Sequence, residues 1–314
     1  MIAPMGKPTH LWIAGASTVT GQALSRLAAA DPAWTLVDGA HVNLADPAAV
    51  DGFLEQVQPE AVVVSGGDHA GIGGNLRRPA DLMTNNLLIA AGVIPAAHRH
   101  GVRRLLYLGS SCIYPRAAAQ PFAPDALWTG PVEPTSAAYA TAKLAGVRMV
   151  SAYRAQHHVA FISAVAADVY GPGDDFSPDD SHVVAALIRR AEDARTTGAA
   201  SLSIWGSGTP RREFIYADDL ASACLFVLKN YDADEPINLG TGETTSIAEL
   251  AEIICDVVGF RGKLEFDTSK PDGVPLKGLD SSRLRDLGWR PSTELRDALA
   301  KTVDWYRAAA GKSD

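Results

Sequence analysis

Cysteine is scarce: three residues in a chain of 314, Cys112, Cys224 and Cys255. They are too few and too scattered for a disulfide framework or a zinc site, so no structural metal is expected. Basic residues are outnumbered, with 28 Lys and Arg against 36 Asp and Glu for a formal charge of −8. That balance argues against nucleic acid or an anionic membrane surface as a partner. Long apolar runs are missing too: none reaches the roughly 18–20 residues of a membrane span. Met1 to His10 lacks the basic-then-apolar pattern of a secretory leader, and the cytoplasm is the expected compartment. There is no internal repeat and no low-complexity stretch. What remains is 47% apolar and 20% charged. That composition suits a globular chain with a sizeable core, in one large domain or two unequal ones.

The first half alternates β-rich runs with helical spacing. Strands are expected at His10–Gly15, Trp34–Val37, Ala61–Ser65, Arg104–Gly109 and Phe161–Val165. Helices are expected at Thr20–Asp31, Asn85–His100 and Ala138–His157. Strand-helix alternation implies right-handed βαβ units and a Rossmann-like, doubly wound parallel sheet of the α/β class. After Tyr170 the pattern breaks into loops rich in Gly, Pro and Asp, and a late strand at Pro236–Leu239 returns to the sheet. The expected division puts residues 1–170 and 213–245 in the sheet domain. Residues 171–212 and 246–314 form a smaller lobe over the carboxyl ends of the strands, where open α/β sheets bind ligands.

Gly15-Ala16-Ser17-Thr18-Val19-Thr20-Gly21 joins the first strand to the first helix. A dinucleotide site uses glycines here for the tight turn, for close approach to a pyrophosphate and for helix–sheet packing. This turn keeps the outer two and has Thr18 in the middle. Such a turn also occurs without a ligand, but its place at the start of a βαβ unit favours a dinucleotide held by Gly15, Ser17, Thr18, Val19 and Gly21. Asp38 ends the second strand, 17 residues past Gly21. A carboxylate there is either a solvated turn residue or an acceptor for a ribose 2′-hydroxyl, the NAD pattern.

Tyr139 and Lys143 share a helix face at i,i+4, and Ser110 follows the Arg104–Gly109 strand. Together these types suit carbonyl reduction. The phenol gives a proton as hydride arrives, the ammonium draws the phenol's pKa down, and the serine hydroxyl steadies the oxygen.

These motifs, in this order, resemble the extended short-chain dehydrogenase/reductases over about residues 9–306. The most specific stretches are Leu108–Pro115, Glu133–Thr135, Tyr139–Gly146, Tyr170–Pro172, Ser181–Val183, Leu187–Arg190, Trp205–Phe214, Asn238–Gly242 and Ser269–Pro275 with Lys277. They point to one subgroup, the 3,5-epimerase/4-reductases of GDP-4-keto-6-deoxy-D-mannose. The resemblance implies a cysteine base and a histidine acid that invert C3 and C5, matched here by Cys112 and His182, and a Ser110, Tyr139 and Lys143 set that reduces C4. It further implies an NAD(P)(H) cofactor touching Tyr139, Lys143 and Asp168, and a homodimer through the two long helices. A GDP-linked sugar would be held by Arg190, Arg212 and Lys277, with Trp205 beside the guanine.

Departures from the family pattern gather at the cofactor. The family turn reads Gly-x-Arg-Gly-x-x-Gly; here Ser17 and Thr18 replace Arg and the middle Gly. The basic residue after the second strand is Gly39, beside Asp38. After the Ala61–Ser65 strand the family reads Ala-Ala-Lys/Arg-Val-Gly-Gly-Ile, against Gly66-Gly67-Asp68-His69-Ala70-Gly71-Ile72 here. The family's Pro-Thr-Asn is Ala166-Ala167-Asp168. Both usual partners of a 2′-phosphate are therefore absent, and NADH is expected over NADPH. Three readings stay open at this point. One is an epimerase/reductase shifted toward NADH, and another a reductase or epimerase of a different nucleotide sugar. The third is a chain that keeps the sugar pocket but binds cofactor poorly.

Overall fold

The computed structural model describes residues 9–178, 180–270 and 272–311. The leader-like pattern sought in Met1 to His10 thus falls mainly outside the described residues, as do Pro271 of the Ser269–Pro275 motif and the last three residues.

The chain begins with strand β1 (Thr9–Ala14) and helix α1 (Val19–Ala30), followed by β2 (Trp34–Val37), α2 (Pro47–Val57) and β3 (Ala61–Val64). Then come α3 (Ile72–Arg77), α4 (Pro79–Arg99), β4 (Arg104–Ser110), α5 (Ala137–His157) and β5 (Ala160–Ala166). Strands β1 to β5 are joined by β10 (Ile237–Leu239) in one sheet of order β10-β5-β4-β3-β1-β2. All five pairings are parallel. The chain runs outward from β1 to β2, then crosses back to place β3 on the other side of β1. The crevice at that switch point is where such sheets take ligands.

Local chemistry sets the element ends. Thr18 caps α1 by accepting from the Gly21 N–H. Asp46 caps α2 by accepting from Ala48 and Ala49, and Pro47 supplies a preformed first turn. The alternation of strands did not mark α2, yet Asp46-Pro47 is its start signal. Helix α4 begins at Pro79, ahead of the expected Asn85, because Pro at the first helical position is tolerated. Among the described residues α4 is the one helix long and apolar enough to cross a membrane, with half of that window buried. It packs against α5 and α2.

The second half supplies β6 (Asp168–Tyr170), α6 (Val183–Thr197), β7 (Ser201–Trp205), β8 (Arg211–Arg212), β9 (Phe214–Tyr216) and α7 (Ala217–Asn230). After β10 come β11 (Thr245–Ser246), α8 (Ile247–Val258), β12 (Lys263–Asp267), β13 (Leu276–Lys277), α9 (Ser282–Asp286) and α10 (Leu295–Ala310). These form a β11-β8-β13 sheet and two strand pairs, β12-β7 and β6-β9. Buried apolar residues gather in two clusters. The larger surrounds the parallel sheet, and the smaller joins α6, α8 and α10 with Phe214 and Tyr216. Leu279, Leu284 and Trp289, assigned by sequence to the small lobe, pack in the larger cluster.

Candidate active site

At the switch point the backbone is pressed close. Gly15 has φ +103°, and a Cβ there would sit 2.3 Å from Gly66. A Cβ on Gly21 would lie 2.0 Å from the Gly15 carbonyl oxygen. Both outer glycines are therefore required by the turn itself. Thr18 Oγ1 donates to the Gly15 carbonyl at 2.9 Å and accepts the Gly21 N–H at 3.0 Å. It closes the turn with its own side chain where the family pattern has glycine. Ser17, Thr18 and Val19 line a cavity of about 240 Å³ with His69, Gly173, Asp174 and Asp175. Asp174 is raised by burial to about 7, and its Oδ2 is buried without a partner.

Asp38 is exposed at the end of β2, its Oδ1 accepting the Ala40 N–H at 3.2 Å. Beside it, a Cβ on Gly39 would lie 2.3 Å from Trp12 Nε1 and 2.7 Å from the Phe53 ring. The tight packing of those two rings leaves no room for the basic side chain of the family pattern.

Ser110 ends β4, in register with Ala166 of β5. Its hydroxyl accepts the Cys112 N–H at 3.4 Å and stands beside the Tyr139 phenol, which it draws down slightly. Lys143, one turn further along α5, is 5% exposed. Its ammonium donates to the Gly66 carbonyl at a long 3.5 Å and lies 5.1 Å from the centre of the Tyr107 ring. The expected depression of the phenol by this ammonium is not found. Burial pushes Tyr139 above its ordinary value, and the same burial pushes Lys143 down to about 8. The lysine is turned toward the Gly66 carbonyl, and the phenol is held protonated, the form that gives a proton.

These features fit a nicotinamide dinucleotide. The close-packed turn, the first turn of α1 and the cavity beside Ser17 suit a diphosphate. Lys143 is a buried cation with one long backbone bond, free to take further acceptors such as ribose hydroxyls.

The second cluster is stitched by backbone. The Asp168 N–H donates to the Glu213 carbonyl and the Glu213 N–H to the Lys277 carbonyl, while Lys277 sits opposite Arg212 in the β8–β13 pair. This brings Asp168, Arg212 and Lys277 together beside Cys112. Lys277 Nζ lies 2.7 Å from Asp168 Oδ1 and 3.9 Å from Cys112 Sγ. Ser111 Oγ also donates to Asp168 Oδ1, at 3.3 Å. Despite its burial, Asp168 is held below its usual value by the Lys277 ammonium foremost, with His182 and Arg212 beside it. Arg212 is further tied to the Arg211 and Val274 carbonyls at 2.8 and 2.6 Å.

His182 is the residue before α6. His182 keeps an exposed surface, yet the groups crowded around it desolvate the ring and, with the neighbouring His69, hold it down at about 4, while Asp168 and Asp175 pull the other way. Arg190 bonds the Ser203 carbonyl on β7. Trp205 is 68% exposed, with Lys270 Nζ 5.6 Å from its ring. Among the described residues Arg190 and Trp205 stand apart from the Cys112 cluster, bonded to β7 and facing Lys270 respectively, whereas Ser110, Tyr139, Cys112, Asp168, Arg212 and Lys277 come together.

Two residues gain a place that sequence reasoning did not give them. Glu213 is 2% exposed and accepts the Gly242 and Leu279 N–H groups at 2.7 and 2.6 Å. The only sequence signal for it was its place inside the Trp205–Phe214 motif. His69 was noted as part of an altered loop, and its contact with His182 is made across 113 positions of chain, a separation no local pattern reveals.

Comparison with known proteins places the molecule. The family model described as "NAD dependent epimerase/dehydratase family" matches residues 8–240. The chain is 48% identical over 298 residues to GDP-L-fucose synthase of Sinorhizobium fredii, covering 95% of each. It is 44% identical over 302 residues to GDP-L-fucose synthase 1 of Arabidopsis thaliana, covering 96% of this chain and 94% of that one. Among solved structures it is similar to a GDP-6-OMe-4-keto-L-xylo-heptose reductase from C. jejuni, with TM-score 0.90, 29% identity, and 96% and 98% of the two chains covered. It is also similar to a GDP-mannoheptose C4 reductase from Campylobacter jejuni with NADP bound, with TM-score 0.86, 28% identity, and 97% and 100% covered. The switch-point turn, the Ser110–Tyr139–Lys143 set and these likenesses lead to one conclusion: the chain belongs to the NAD dependent epimerase/dehydratase family of extended short-chain dehydrogenase/reductases.

Proposed function

We propose that this chain is an NAD(P)(H)-dependent epimerase/reductase that inverts C3 and C5 of GDP-4-keto-6-deoxy-D-mannose and reduces C4, giving GDP-L-fucose or a close relative. The observation that carries the reading is the meeting of Cys112 with the Ser110–Tyr139 pair at the end of β4. It puts a thiol beside two hydroxyls suited to holding a carbonyl oxygen. Hydrogens next to a ketone are acidic only when the oxyanion is stabilised. Cys112 takes such a hydrogen while Ser110 and Tyr139 hold the C4 oxygen, and Lys277 presents an ammonium to the sulfur. His182 returns a proton to the opposite face, which inverts the carbon. For the second chemistry a bound reduced nicotinamide supplies hydride to C4. Tyr139 gives its proton to the oxygen, and Ser110 fixes the carbonyl. Arg190, Arg212 and Lys277 hold the diphosphate and sugar, and Trp205 offers a flat face to guanine.

For the cofactor we infer that NADH serves at least as well as NADPH. Asp38 repels a 2′-phosphate and accepts from a 2′-hydroxyl, and position 39 has no room for a basic side chain. This differs from the Campylobacter reductase with NADP bound. The same family reading implies a homodimer through the adjacent α4 and α5, which sedimentation would reveal as a doubled mass. The similarity to the two heptose reductases gives a second reading, C4 reduction of another GDP-sugar without epimerisation. Incubation of GDP-4-keto-6-deoxy-D-mannose with NADH or NADPH, with the product resolved by chromatography and NMR, separates the two. A reduced, doubly epimerised product supports the first reading, reduction alone supports the second, and unchanged substrate overturns both.

A further inference from the structure

His182 does not stand alone. Its Nε2 lies 3.3 Å from Nδ1 of His69, with ring centroids 5.3 Å apart and planes at 30°. The two residues sit on segments that are tied together around them. The Gly71 N–H donates to the Asp180 carbonyl at 2.8 Å. Arg78 spans Asp68 and Asp180 at 3.2 and 3.4 Å, and Arg77 reaches Asp180 at 2.7 Å. Asn86 Nδ2 donates to the Asp68 carbonyl at 2.7 Å. A side chain on Gly71 would lie 2.8 Å from the Ser181 carbonyl oxygen, so the two backbones are in contact on either side of the imidazole pair. The contact is therefore braced at both ends. His69 is also foreign to the family pattern, which has Val at this step of the loop.

We propose that His69 is a positioning residue for proton transfer at His182. Its Nδ1 accepts the Nε2–H of His182, fixes that ring's tautomer and rotation, and leaves Nδ1 of His182 to exchange protons with the sugar. The inference rests on the reading of His182 as the acid of epimerisation. The protons balance. At neutral pH the ring rests neutral with its hydrogen on Nε2. Nδ1 takes a proton from solvent, gives it to the α-carbon of the enolate and returns to the neutral form, while the Nε2–H stays bonded to His69 throughout. A general acid held by a third group is the arrangement that catalytic imidazoles use when orientation limits the rate.

The pair also has a pH signature. Around His69 stand Asp68, Asp175, Lys143, Arg78 and His182; around His182 stand His69, Asp168, Asp175 and Lys277. A proton on His69 Nδ1 would put two N–H groups face to face and break the contact. Burial holds His69 below its ordinary 6.5, so the contact is kept at neutral pH and lost in acid.

The test uses the full chain with His69→Val and His69→Gln, each checked for an unchanged melting temperature. Solvent deuterium is followed into C3 and C5 of GDP-4-keto-6-deoxy-D-mannose. His69→Val should slow incorporation about tenfold or more. His69→Gln should restore most of it, because the amide oxygen accepts the same N–H, and should remove the acid-side fall that His69 gives the parent chain. Nitrogen NMR of the parent should find His182 as the Nε2–H tautomer, a preference lost in His69→Val. Equal rates in the parent and the Val variant, or a Gln variant as slow as Val, overturns the proposal alone, as does an Nδ1–H tautomer in the parent. No incorporation by the parent overturns the epimerase reading and this proposal with it.

Discussion

At the start of α1 the proposed ligand site is built from backbone, while at the carboxyl ends of β4 and β5 it is built from side chains. Gly15, Gly21 and Gly66 form the first region, and what matters there is the room between main-chain atoms. Ser17 and Thr18 depart from the family pattern, yet the turn keeps its shape because Thr18 bonds both of its ends. The second region consists of hydroxyls, a thiol and charges at fixed separations. Ser110, Cys112, Tyr139 and Lys143 all remain, and the charged one of the three departures noted there, Asp168, is matched by Lys277 at 2.7 Å. A backbone site tolerates new side chains so long as φ and close approach survive. A side-chain site keeps its function only if the reacting groups themselves stay.

That contrast can be broken by substitution, most sharply in the side-chain region. Tyr139→Phe removes the proton donor, and C4 reduction should fall about 10²- to 10⁴-fold. Deuterium exchange at C3 and C5 should survive in part, since Ser110 still holds the oxyanion. Full reductase activity in this variant would refute the assignment. Cys112→Ser should slow epimerisation about 10²-fold and reduction much less. Reduced but un-epimerised sugar would then accumulate, and an unchanged product ratio would remove Cys112 from the mechanism.

Lys143 gives a smaller and reversible effect. Burial lowers it from 10.5 to about 8, so the ammonium is present below that pH and lost above it. Reduction should hold steady near pH 7 and decline as pH rises through about 8, read as initial rates of nicotinamide oxidation. A rate level up to pH 10 would contradict the role of that charge. The mildest change belongs to the backbone region. Asp38→Asn removes one repulsive charge, worth about 1 kcal/mol near the surface. The NADPH-to-NADH ratio of kcat/KM should rise about fivefold, and no change would place Asp38 away from the ribose.

Much of this was legible in the sequence where function is local in the chain. The Gly15–Gly21 turn, the five first strands and the Tyr139–Lys143 spacing each fall within a few residues, and periodicity exposes them. Even Ser110 is found by its place at a strand end. Groups brought together over long separations were less legible. The Asp168–Lys277 pair joins positions 109 residues apart, through backbone bonds of β6, β9, β8 and β13 that are two or three residues long. Such short strands carry no readable alternation. The charge balance was misjudged for the same reason: Tyr139 and Lys143 share a helix face, but only the fold shows that Lys143 turns to Gly66 and that burial dominates both groups. The empty step at Gly39 reads as a lost basic residue in sequence; in the fold it is a position closed by Trp12 and Phe53.

The central claim, two chemistries at one ketone, is tested most directly by one incubation in D₂O. GDP-4-keto-6-deoxy-D-mannose is divided between NADH and NADPH, and the products are read by mass and NMR. The account predicts a reduced sugar with deuterium at C3 and C5, formed with NADH at least as fast as with NADPH. A reduced sugar without deuterium at either carbon, or recovery of the keto sugar unlabelled and unreduced with both cofactors, would contradict it.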